Sequence, residues 1–482
     1  MPSTPLSELD RWIENERHAS DLINICSKLA LDTSTELMLF RKPLYHVTSN
    51  QVMAHHQYAE QVSELPITIK DTLLLAKAIT KLSLSPSRID LGRLAMEWYR
   101  EQGETRSMDD FIAKKLSDHL ETGQKTLIPK DVVLFGFGRI GRIVARLLIS
   151  QTGKGEQLRL KAIVLRSCKP SDVTKRADLL RYDSVHGPFQ GTIVENTAHD
   201  SLIINGQTVK LIESENPESI NYTQYGIHNA LVIDNTGIFR DKLELSRHLK
   251  SKGVEQVLLT APGKGEIPNI VAGINDSLLK NKTNRIFSAA SCTTNAIVPV
   301  LKVINENFGI EKGHIETIHA YTNDQNLLDN YHKKYRRGRS AAINLVITET
   351  GAGSAVAKVM PELAGKLTGN AVRVPTPNAS LAILHLTLKR PSTKQEINDS
   401  LRNATLYGPL VEQLDYAISN ELVSSDIIGN SHSSVIDSPA TILSSDGIST
   451  VIYVWYDNEC GYSYQVLRLA KRIANVVRIT YY

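Results

Sequence analysis

A glycine-rich loop between an apolar run and a helical run constrains the fold of this chain more than any other feature. The loop reads GFGRIG over residues 136–141. It follows the apolar run at 132–135 and precedes a helical pattern, after which residues 160–165 form a second apolar run. Strand, helix and strand in this order predict a βαβ unit, which implies a parallel sheet. Later apolar runs also alternate with helical patterns, so the sequence predicts an α/β fold.

The same loop predicts the binding of a dinucleotide. Its first glycine permits the tight turn, its second lets the backbone approach a pyrophosphate, and its third lets the helix pack closely on the strand. The free N–H groups at the start of the helix then face the phosphates. We therefore expect a Rossmann-type domain whose cofactor contacts come from Gly136, Gly138, Arg139, Ile140 and Gly141.

The end of the second strand bears on the choice of coenzyme. In such units an Asp or Glu commonly binds the ribose 2′-hydroxyl at this place. Here the strand ends in Arg166-Ser167-Cys168-Lys169, which contains no acid. Because Arg166, Ser167 and Lys169 can accept a 2′-phosphate that a carboxylate would repel, we predict NAD or NADP as coenzyme, with a leaning to NADP.

Cys292 is the candidate nucleophile. It follows the apolar pattern RIFSAA and stands at the start of a helical run. N–H groups at a helix N-terminus lower the pKa of a thiol and stabilise its thiolate. His319, at the end of the stretch HIETIHA, is the candidate ion-pair partner and general base. Spacing alone leaves open the alternative of a buried structural thiol and a core histidine.

Seven motifs occur in a fixed order along the chain: GFGRIGR, YDSVHG, NTGIF, SAASCTTNAIVPVLKVI, HAYTNDQ, KLTGNAVRVPTPN and WYDNECGYS. Together they resemble the phosphorylating glyceraldehyde-3-phosphate dehydrogenases, from about residue 130 to the last residue. The resemblance implies that Cys292 is the nucleophile and His319 the base. It implies reversible oxidation of glyceraldehyde 3-phosphate by NAD(P) and inorganic phosphate to 1,3-bisphosphoglycerate, through a thiohemiacetal and a thioester, in glycolysis or gluconeogenesis.

The resemblance also assigns binding residues, position by position. It implies an ester-phosphate site at Thr322, Asp324 and Arg373. It implies an inorganic-phosphate site at Ser291, Thr293, Thr350 and Gly351. For the coenzyme it implies that Asn458 holds the nicotinamide carboxamide and that a turn lies beside the cofactor at Thr236 and Gly237.

The sequence departs from the usual pattern of that family at several positions. Phe135 precedes the first glycine where relatives usually carry Asn, and Ala296 stands where many relatives carry a second cysteine. Without that cysteine, we predict that oxidised Cys292 is capped by a small thiol or over-oxidised and forms no intrachain disulfide. Glu349 precedes Thr350, and a carboxylate that faced an incoming phosphate there would repel it.

We predict three parts. Residues 1–126 form an all-helical module of four or five helices of unknown role, because helical patterns alternate there with proline-containing breaks. Residues 127–291 form the dinucleotide-binding domain, which the resemblance completes with a C-terminal helix inside 459–482. Residues 292–458 form an α+β catalytic domain, for which the resemblance implies an antiparallel sheet with helices on one face.

The resemblance further implies a homotetramer, in which the loop at 321–344 approaches the cofactor of a neighbouring subunit. We interpret the basic cluster KKYRRGR in this loop as salt-bridged packing and not as a nucleic-acid site. Two roles stay open for the N-terminal module: binding of a protein partner, or control of assembly.

Charge and hydropathy limit the other partners and the location. A net charge of +4 over 482 residues gives no argument for a nucleic-acid partner. No run of about 18 apolar residues predicts a membrane span, and the charged segment MPSTPLSELDRWIENER lacks the apolar core of a signal peptide. Four cysteines without a CxxC pair predict neither a disulfide scaffold nor a metal site. We therefore expect a cytoplasmic enzyme.

Two other functions remain open at this point. One is erythrose-4-phosphate dehydrogenase, since one additional carbon in the substrate alters little in these motifs. The other is a regulatory or binding protein built on a dehydrogenase fold, although the presence of both Cys292 and His319 argues against an inactive enzyme.

Overall fold

A computed structural model gives the fold of the chain. It describes residues 5–101, 107–120, 127–151, 153, 155, 157–281, 283–348 and 351–482. The helices of this part are α1 (Pro5–Asp32), α2 (Ser49–Ser63), α3 (Ile69–Ile79), α4 (Leu91–Glu101), α5 (Met108–Lys115), α6 (Arg139–Ser150), α7 (Pro170–Arg181), α8 (Lys242–Leu245), α9 (Cys292–Phe308), α10 (Ala352–Val359), α11 (Lys394–Leu406) and α12 (Cys460–Ile473).

The strands of the same part belong to three sheets. They are β1 (Glu36–Leu39), β2 (Lys42–Pro43), β3 (Ser87–Asp90), β4 (Lys130–Phe135), β5 (Leu158–Leu165), β6 (Ile193–Asn196), β7 (Ser201–Ile204), β8 (Gln207–Glu213), β9 (Ala230–Asp234), β10 (Val254–Leu259), β11 (Ile286–Ser288), β12 (Ile310–Ala320), β13 (Val346–Thr348), β14 (Leu367–Val374), β15 (Ser380–Leu388), β16 (Leu414–Ala417), β17 (Ser434–Asp437), β18 (Ile442–Leu443), β19 (Ser449–Tyr456) and β20 (Ile479–Tyr481).

The predicted Rossmann-type domain is confirmed. Its sheet has the order β11-β10-β9-β4-β5-β8-β7-β6, and the pairings from β11 to β8 are parallel. Along β4, Val132 and Leu134 belong to one apolar core, while Val133 and Phe135 belong to another. Both faces of the sheet are therefore covered, as parallel sheets require. The glycine loop follows the carboxyl end of β4, where such sheets bind nucleotides.

The catalytic sheet has the order β13-β14-β12-β15-β19-β17-β16, with β18 beside β19. Most pairings are antiparallel, but β12 with β14 and β16 with β17 are parallel. The expected antiparallel sheet is therefore found as a mostly antiparallel sheet with two parallel pairings. Helix α9 is apolar on nearly all sides because it packs between this sheet and the helices α10, α11 and α12.

The N-terminal module contains the five helices α1 to α5, within the predicted number, but the prediction that it is all-helical is wrong. Strands β1, β2 and β3 form a sheet there, and β20 from the far end of the chain pairs parallel with β3. Carboxylate oxygens of the buried Asp90 accept the N–H groups of Phe40, Arg41 and Gly92 at 2.7–2.9 Å. These strands have only two to four residues, which is too short to show the alternation of apolar and polar residues that predicts a strand. The pairing of β20 with β3 also joins residues that are far apart in the sequence.

The module and the catalytic domain share one apolar core, which runs from Leu22 in α1 to Ile397 in α11. Polar contacts cross the same boundary: Tyr58 donates to Asp415 at 2.6 Å, and the Arg41 guanidinium donates to the carbonyl of Thr405. The domain boundaries drawn from the sequence stay predictions, and residues 121–126 of the expected linker lie outside the described residues.

The C-terminal helix α12 packs against α6 of the dinucleotide-binding domain, as expected. The chain then leaves that domain, since β20 joins the N-terminal sheet. In the basic cluster, Arg337 pairs with Asp324 and Arg339 with Asp329, as salt-bridged packing of this loop predicts. Within the described ranges, no helix combines the length and the apolar character that crossing a membrane requires.

Candidate active site

Cys292 lies at a tight turn between β11 and α9. The turn includes Ala290, whose φ of 55° is in the left-handed region that residues other than glycine rarely adopt. Ser291 caps the helix, and its hydroxyl oxygen accepts the N–H of Thr294 at 3.0 Å. The turn therefore places Cys292 at the first position of α9, where backbone N–H groups have no partner within the helix.

The thiol of Cys292 and the imidazole of His319 lie next to each other. The distance from Sγ to Nε2 is 3.5 Å. His319 is the penultimate residue of β12 in the middle of the catalytic sheet, and it is 5% exposed. Packing of α9 on this sheet thus brings together two groups that stand 27 positions apart in the sequence.

Burial disfavours the charged form of both groups. Burial raises the pKa of the Cys292 thiol, although the charge of Arg373 and hydrogen bonds from Thr293 oppose the rise. Burial, and then the charge of Arg373, lowers the pKa of His319 to about 3. The expectation of a lowered thiol pKa and an ion pair is therefore wrong here, because desolvation outweighs the helix N-terminus.

Arg373 lies against the other ring nitrogen of His319. Its Nη1 is 2.7 Å from Nδ1 and 2.8 Å from the carbonyl oxygen of Ala320, which Nδ1 approaches to 2.7 Å. A neutral imidazole has one N–H. If Nδ1–H donates to Ala320, Nε2 is free to accept the thiol proton. If Arg373 donates to Nδ1, the ring proton is on Nε2 and faces the sulfur.

Tyr456 contacts His319 and the neighbour of Cys292, Thr293, and the sequence analysis did not single it out. It is 1% exposed, and its hydroxyl lies 3.0 Å from Oγ1 of Thr293 and 2.7 Å from Oγ1 of Thr317. Its ring packs edge-on against that of His319. The hydroxyl of Thr293, expected to bind inorganic phosphate, is therefore already bonded to Tyr456. The motif WYDNECGYS contains this tyrosine and was the available signal.

The glycine loop has the geometry that a dinucleotide needs. Gly136 has a φ of 92°, and a Cβ at Gly141 would lie 2.6 Å from the carbonyl oxygen of Gly136, so neither position admits a side chain. A Cβ at Gly138 would meet nothing within 4 Å, and Gly138 is the N-cap residue of α6 without a side-chain cap. The space beside the start of α6 is therefore open, which fits a pyrophosphate next to its first N–H groups.

The other two loop residues make contacts within the protein. Arg139 donates to Glu459 at 2.6 Å and to Asp183 at 2.9 Å, which ties α6 to the start of α12. Ile140 packs against the apolar core of the domain. The side chain of Arg139 thus holds the loop in place through these carboxylates.

Thr236 and Gly237 form the turn after β9. The N–H and the hydroxyl of Thr236 donate to Oδ1 of the buried Asp234 at 2.8 and 2.7 Å, and Gly237 has a φ of 67°. The methyl group of Thr236 would lie 2.9 Å from a Cβ at Gly136. The turn and the glycine loop are therefore neighbours, as expected for two walls of one cofactor site.

Carboxylate side chains lie near the end of β5, although the residues that end this strand include no Asp or Glu. Arg166 is exposed, but the hydroxyl of Ser167 donates to Asp172 at 2.6 Å. Glu213, at the end of the adjacent strand β8, accepts the N–H of Cys168 at 2.9 Å. Two carboxylates therefore lie close to the residues proposed to hold a 2′-phosphate, and each already accepts a hydrogen bond.

Asn458 is oriented by Ser380, which the sequence analysis did not single out. The Ser380 hydroxyl donates to Oδ1 of Asn458 at 2.8 Å and accepts the N–H of Ala320 at 3.2 Å. Asn458 is largely buried, and this contact leaves its NH₂ group for another acceptor. The NH₂ group of Asn458 thus remains available near the end of β12, where the sequence predicts a nicotinamide carboxamide.

The residues expected at the ester phosphate converge only in part. Thr322 is half-buried just after β12, and Arg373 is on the neighbouring strand β14. Asp324 is exposed and pairs with Arg337. Its carboxylate therefore holds the guanidinium of Arg337. Burial and the charge of Arg373 lower the pKa of Arg337, which was assigned only to the basic cluster.

Only part of the expected inorganic-phosphate site lies within the described residues. Glu349 and Thr350 lie outside the described residues. Gly351 is the N-cap residue of α10, and among the described residues no hydrogen bond links it to Cys292 or Arg373. The hydroxyl of Ser291 lies 2.7 Å from that of Thr294 at the helix cap.

One group of side chains in the described part brings three possible metal ligands together: His186, Asp457 and Cys460. Oδ1 of Asp457 accepts the N–H groups of Glu459 and Cys460 at 2.8 and 2.7 Å. The carboxylate is therefore explained by capping of α12, and its position requires no ion.

Two family models match the chain. The model described as "Glyceraldehyde 3-phosphate dehydrogenase, NAD binding domain" matches residues 130–242. The model described as "Glyceraldehyde 3-phosphate dehydrogenase, C-terminal domain" matches residues 291–458. The glycine loop lies within the first match, and Cys292, His319 and Arg373 lie within the second.

Relatives of known name agree with these matches. The chain is 49% identical over 430 residues to a "Glyceraldehyde-3-phosphate dehydrogenase-like protein" of Pseudomonas aeruginosa, with 88% of this chain and 92% of that protein covered. It is 42% identical over 344 residues to "Glyceraldehyde-3-phosphate dehydrogenase 2" of Trichormus variabilis, with 71% of this chain and 98% of that protein covered. It is 41% identical over 346 residues to "Glyceraldehyde-3-phosphate dehydrogenase 2" of Bacillus subtilis, with 71% and 96% covered. The Pseudomonas alignment is longer than the stretch 130–482 and so extends into the N-terminal module.

Proposed function

The chain belongs to the glyceraldehyde-3-phosphate dehydrogenase family of oxidoreductases, and from this premise we propose that it oxidises glyceraldehyde 3-phosphate with NAD or NADP and inorganic phosphate, reversibly, to 1,3-bisphosphoglycerate. The observation that carries the proposal is the 3.5 Å distance between Sγ of Cys292 and Nε2 of His319. A thiol and a base at this distance, beside a dinucleotide-binding loop, have the arrangement that covalent oxidation of an aldehyde needs.

In the first half-reaction, the sulfur of Cys292 attacks the aldehyde carbon while Nε2 of His319 takes the thiol proton. His319 returns this proton to the new oxyanion, which lies beside the N–H groups at the start of α9. Bound NAD(P) supplies the hydride acceptor for the oxidation. As the hydride leaves carbon, His319 takes the hydroxyl proton and the hemithioacetal becomes a thioester.

In the second half-reaction, an oxygen of inorganic phosphate attacks the thioester carbon. The carbon–sulfur bond breaks, the acyl phosphate leaves, and the Cys292 thiolate recovers a proton from His319. The guanidinium groups of Arg337 and Arg373 are the cations near this centre that can neutralise phosphate charge. Burial favours the uncharged imidazole of His319, which suits this scheme because the ring first acts as a proton acceptor.

We assign Arg373 a second task in the first half-reaction. In this structure it competes with the carbonyl of Ala320 for Nδ1 of His319. A substrate phosphate attracts the guanidinium more strongly than a neutral ring nitrogen does. Once Arg373 binds that phosphate, Nδ1–H donates to Ala320 and Nε2 is left as the proton acceptor. Binding of the correct substrate would thus set the tautomer that the reaction needs.

We propose that the enzyme accepts NADP as well as NAD. Exposed Arg166 and Lys169 supply positive charge at the end of β5, which supports contact with a 2′-phosphate. Asp172 and Glu213 lie nearby and oppose it, although hydrogen bonds hold both. A preference for NADP of less than about tenfold is expected, since one charge-assisted contact at an exposed site contributes about 1 kcal/mol.

We also propose that the chain forms a homotetramer. Apolar side chains are highly exposed along residues 327–347, including Leu327, Tyr331, Tyr335 and Ile343. So many exposed apolar side chains in one segment are typical of a surface that a second subunit covers. The cytoplasmic location, and the choice between a partner-binding and an assembly role for the N-terminal module, stay predictions.

The test is a coupled assay of the full-length protein that crosses NAD and NADP with glyceraldehyde 3-phosphate and erythrose 4-phosphate, with and without inorganic phosphate. We expect phosphate-dependent turnover that is faster with glyceraldehyde 3-phosphate and is lost in Cys292→Ser. Faster turnover of erythrose 4-phosphate would reassign the substrate. No turnover of either aldehyde would favour a regulatory protein on this fold.

A further inference from the structure

A cavity of about 640 Å³ lies away from the catalytic centre, where the N-terminal module meets the rest of the chain. We call it the junction cavity; it is lined by β1, by the second half of α12 and by residues 408–412, among others. Neither the glycine loop nor Cys292, His319 or Arg373 contributes to its walls. Its volume is in the range of sites for small molecules, which is about 300–1,000 Å³.

One wall of the junction cavity carries more positive than negative side chains. We call these side chains the basic cluster of the cavity: Arg88, Arg468, Lys471 and Arg478, with the carboxylates Glu36 and Glu412 between them. Arg478 pairs with Glu36 at 2.5 Å, and Arg88 pairs with Glu36 at 3.1 Å and also with Glu412. Two carboxylates are therefore shared among three arginines and a lysine, and an excess of positive charge remains on these side chains.

Lys471 is the cation of this cluster that lacks a carboxylate partner among the described residues. Its Nζ donates to the neutral amide of Gln151 at 2.6 Å and forms no ion pair among the described residues. Burial lowers the pKa of Lys471 to about 7, and the charges of Arg88 and Arg478 act in the same direction while Glu36 opposes them. An anion in the cavity would relieve this repulsion.

The remaining lining of the cavity is aromatic and apolar. Tyr464 and Tyr482 line it, as do the adjacent rings of Tyr45 and His46, whose centroids lie 3.7 Å apart. Leu37 of β1 adds an aliphatic surface. The rings lie beside the cations, since the guanidinium of Arg468 is 5.7 Å from the centroid of the Tyr464 ring and that of Arg88 is 5.7 Å from the centroid of the Tyr482 ring. Cations next to aromatic rings fit a ligand that carries both a phosphate and an aromatic ring.

We propose that the junction cavity binds a nucleoside phosphate, with the phosphate on the basic cluster of the cavity and the base against the tyrosine rings. This site is separate from the coenzyme site and does not depend on the proposed reaction. Helix α12 carries Arg468 and Lys471 near its end and begins two residues after Asn458. The ligand would therefore contact a helix that starts beside the coenzyme site.

Binding is measured by calorimetry on the full-length protein with saturating NAD present, so that the coenzyme site is already filled. The probes are AMP, ATP, fructose 1,6-bisphosphate and pyrophosphate. We expect AMP or ATP to bind, and pyrophosphate and fructose 1,6-bisphosphate to bind more weakly because they lack a ring. Equal binding of all four probes would contradict the proposed contact with the base. No binding of any probe would overturn the site.

Substitution then locates the site. Lys471→Met keeps the length of the side chain and removes its charge, and we expect at least about tenfold weaker binding, since a hydrogen bond to a charged group contributes about 1.5–3 kcal/mol. Lys114→Met, in an exposed position of α5, is the matched control and should bind as the wild type does. Unchanged binding in Lys471→Met would overturn the proposal.

A second measurement on the wild-type protein covers the case in which Lys471→Met does not fold. Acetic anhydride labels lysines by the reactivity of their free amines, and mass spectrometry reads each site. We expect AMP or ATP to reduce labelling of Lys471 at least about fivefold, which is about 1 kcal/mol of protection, and to leave Lys114 unchanged. Labelling of Lys471 that is the same with and without the nucleotide would contradict the proposal.

Discussion

Replacement of Arg373 by Gln separates the two tasks that we assign to this residue. The guanidinium has no carboxylate partner among the described residues and lies 2.7 Å from Nδ1 of His319. Its contact with a substrate phosphate would be charge-assisted, which is worth about 1.5–3 kcal/mol, or about 10–150-fold in kcat/KM. We expect a loss of this size for glyceraldehyde 3-phosphate.

The assay compares glyceraldehyde 3-phosphate with glyceraldehyde, which has the aldehyde but no phosphate. In the wild type, glyceraldehyde leaves Arg373 on Nδ1, so its kcat should be low as well as its affinity. In Arg373→Gln, kcat for glyceraldehyde should rise, because no guanidinium holds Nδ1 of His319 and no phosphate contact is lost. Arg390→Gln, an exposed position, is the control. Equal losses for both aldehydes, or no loss for the phosphorylated one, would refute this reasoning.

Three further predictions follow from the contacts at the site. In Arg166→Glu, a carboxylate replaces the exposed guanidinium at the end of β5, and the ratio of kcat/KM for NADP to that for NAD should fall at least about tenfold; an unchanged ratio would remove Arg166 from the coenzyme site. In Tyr456→Phe, the hydroxyls of Thr293 and Thr317 lose a buried hydrogen-bond partner. Urea unfolding should therefore show a free energy of unfolding that is about 1–3 kcal/mol lower. An equal free energy of unfolding would show that water or another group replaces the phenol. Burial lowers the pKa of His319 from 6.5 to about 3, so the folded state binds fewer protons there than the unfolded state. The neutral ring therefore contributes stability above pH 6.5, and this stability is lost as the pH falls towards 3. Denaturant midpoints of His319→Gln should fall less steeply over this range than those of the wild type, and parallel curves would contradict the depressed pKa.

The glycine loop shows what local sequence can establish. Gly136 has a positive φ and Gly141 lies against the carbonyl of Gly136, so both positions exclude a side chain, while Gly138 leaves open space for a ligand. The spacing of these glycines carries that geometry in the sequence. The parallel sheet followed from the same pattern, because each βαβ unit is local along the chain. These features need no knowledge of distant contacts.

The features that the sequence did not reveal depend on distant contacts. Strand β20 joins β3 from the far end of the chain, and neither strand is long enough to show alternation. Glu213 reaches the end of β5 from another strand, so the absence of acid in the local sequence was a poor guide to the charge around a 2′-phosphate. The pKa of Cys292 likewise depends on burial, which the start of a helix does not disclose.

Asp324 and Arg337 illustrate a third case. The motif placed Asp324 at a phosphate, and charge patterning placed Arg337 in a packing cluster. In the structure the two residues form an ion pair, and the carboxylate of Asp324 holds the guanidinium of Arg337 near Arg373. The two residues therefore belong to one group of charges, although the sequence analysis assigned them separately. Residue types alone could not show which of the two charges faces the site.

The central claim is that Cys292 carries the acyl group. It is tested by intact-protein and peptide mass spectrometry after the protein is mixed with glyceraldehyde 3-phosphate and the oxidised coenzyme in the absence of inorganic phosphate. We predict the mass of a 3-phosphoglyceroyl thioester on the peptide that contains Cys292, and its disappearance when phosphate is added. Reduced coenzyme formed without an acyl group on that peptide, or an acyl group on another residue, would contradict the account.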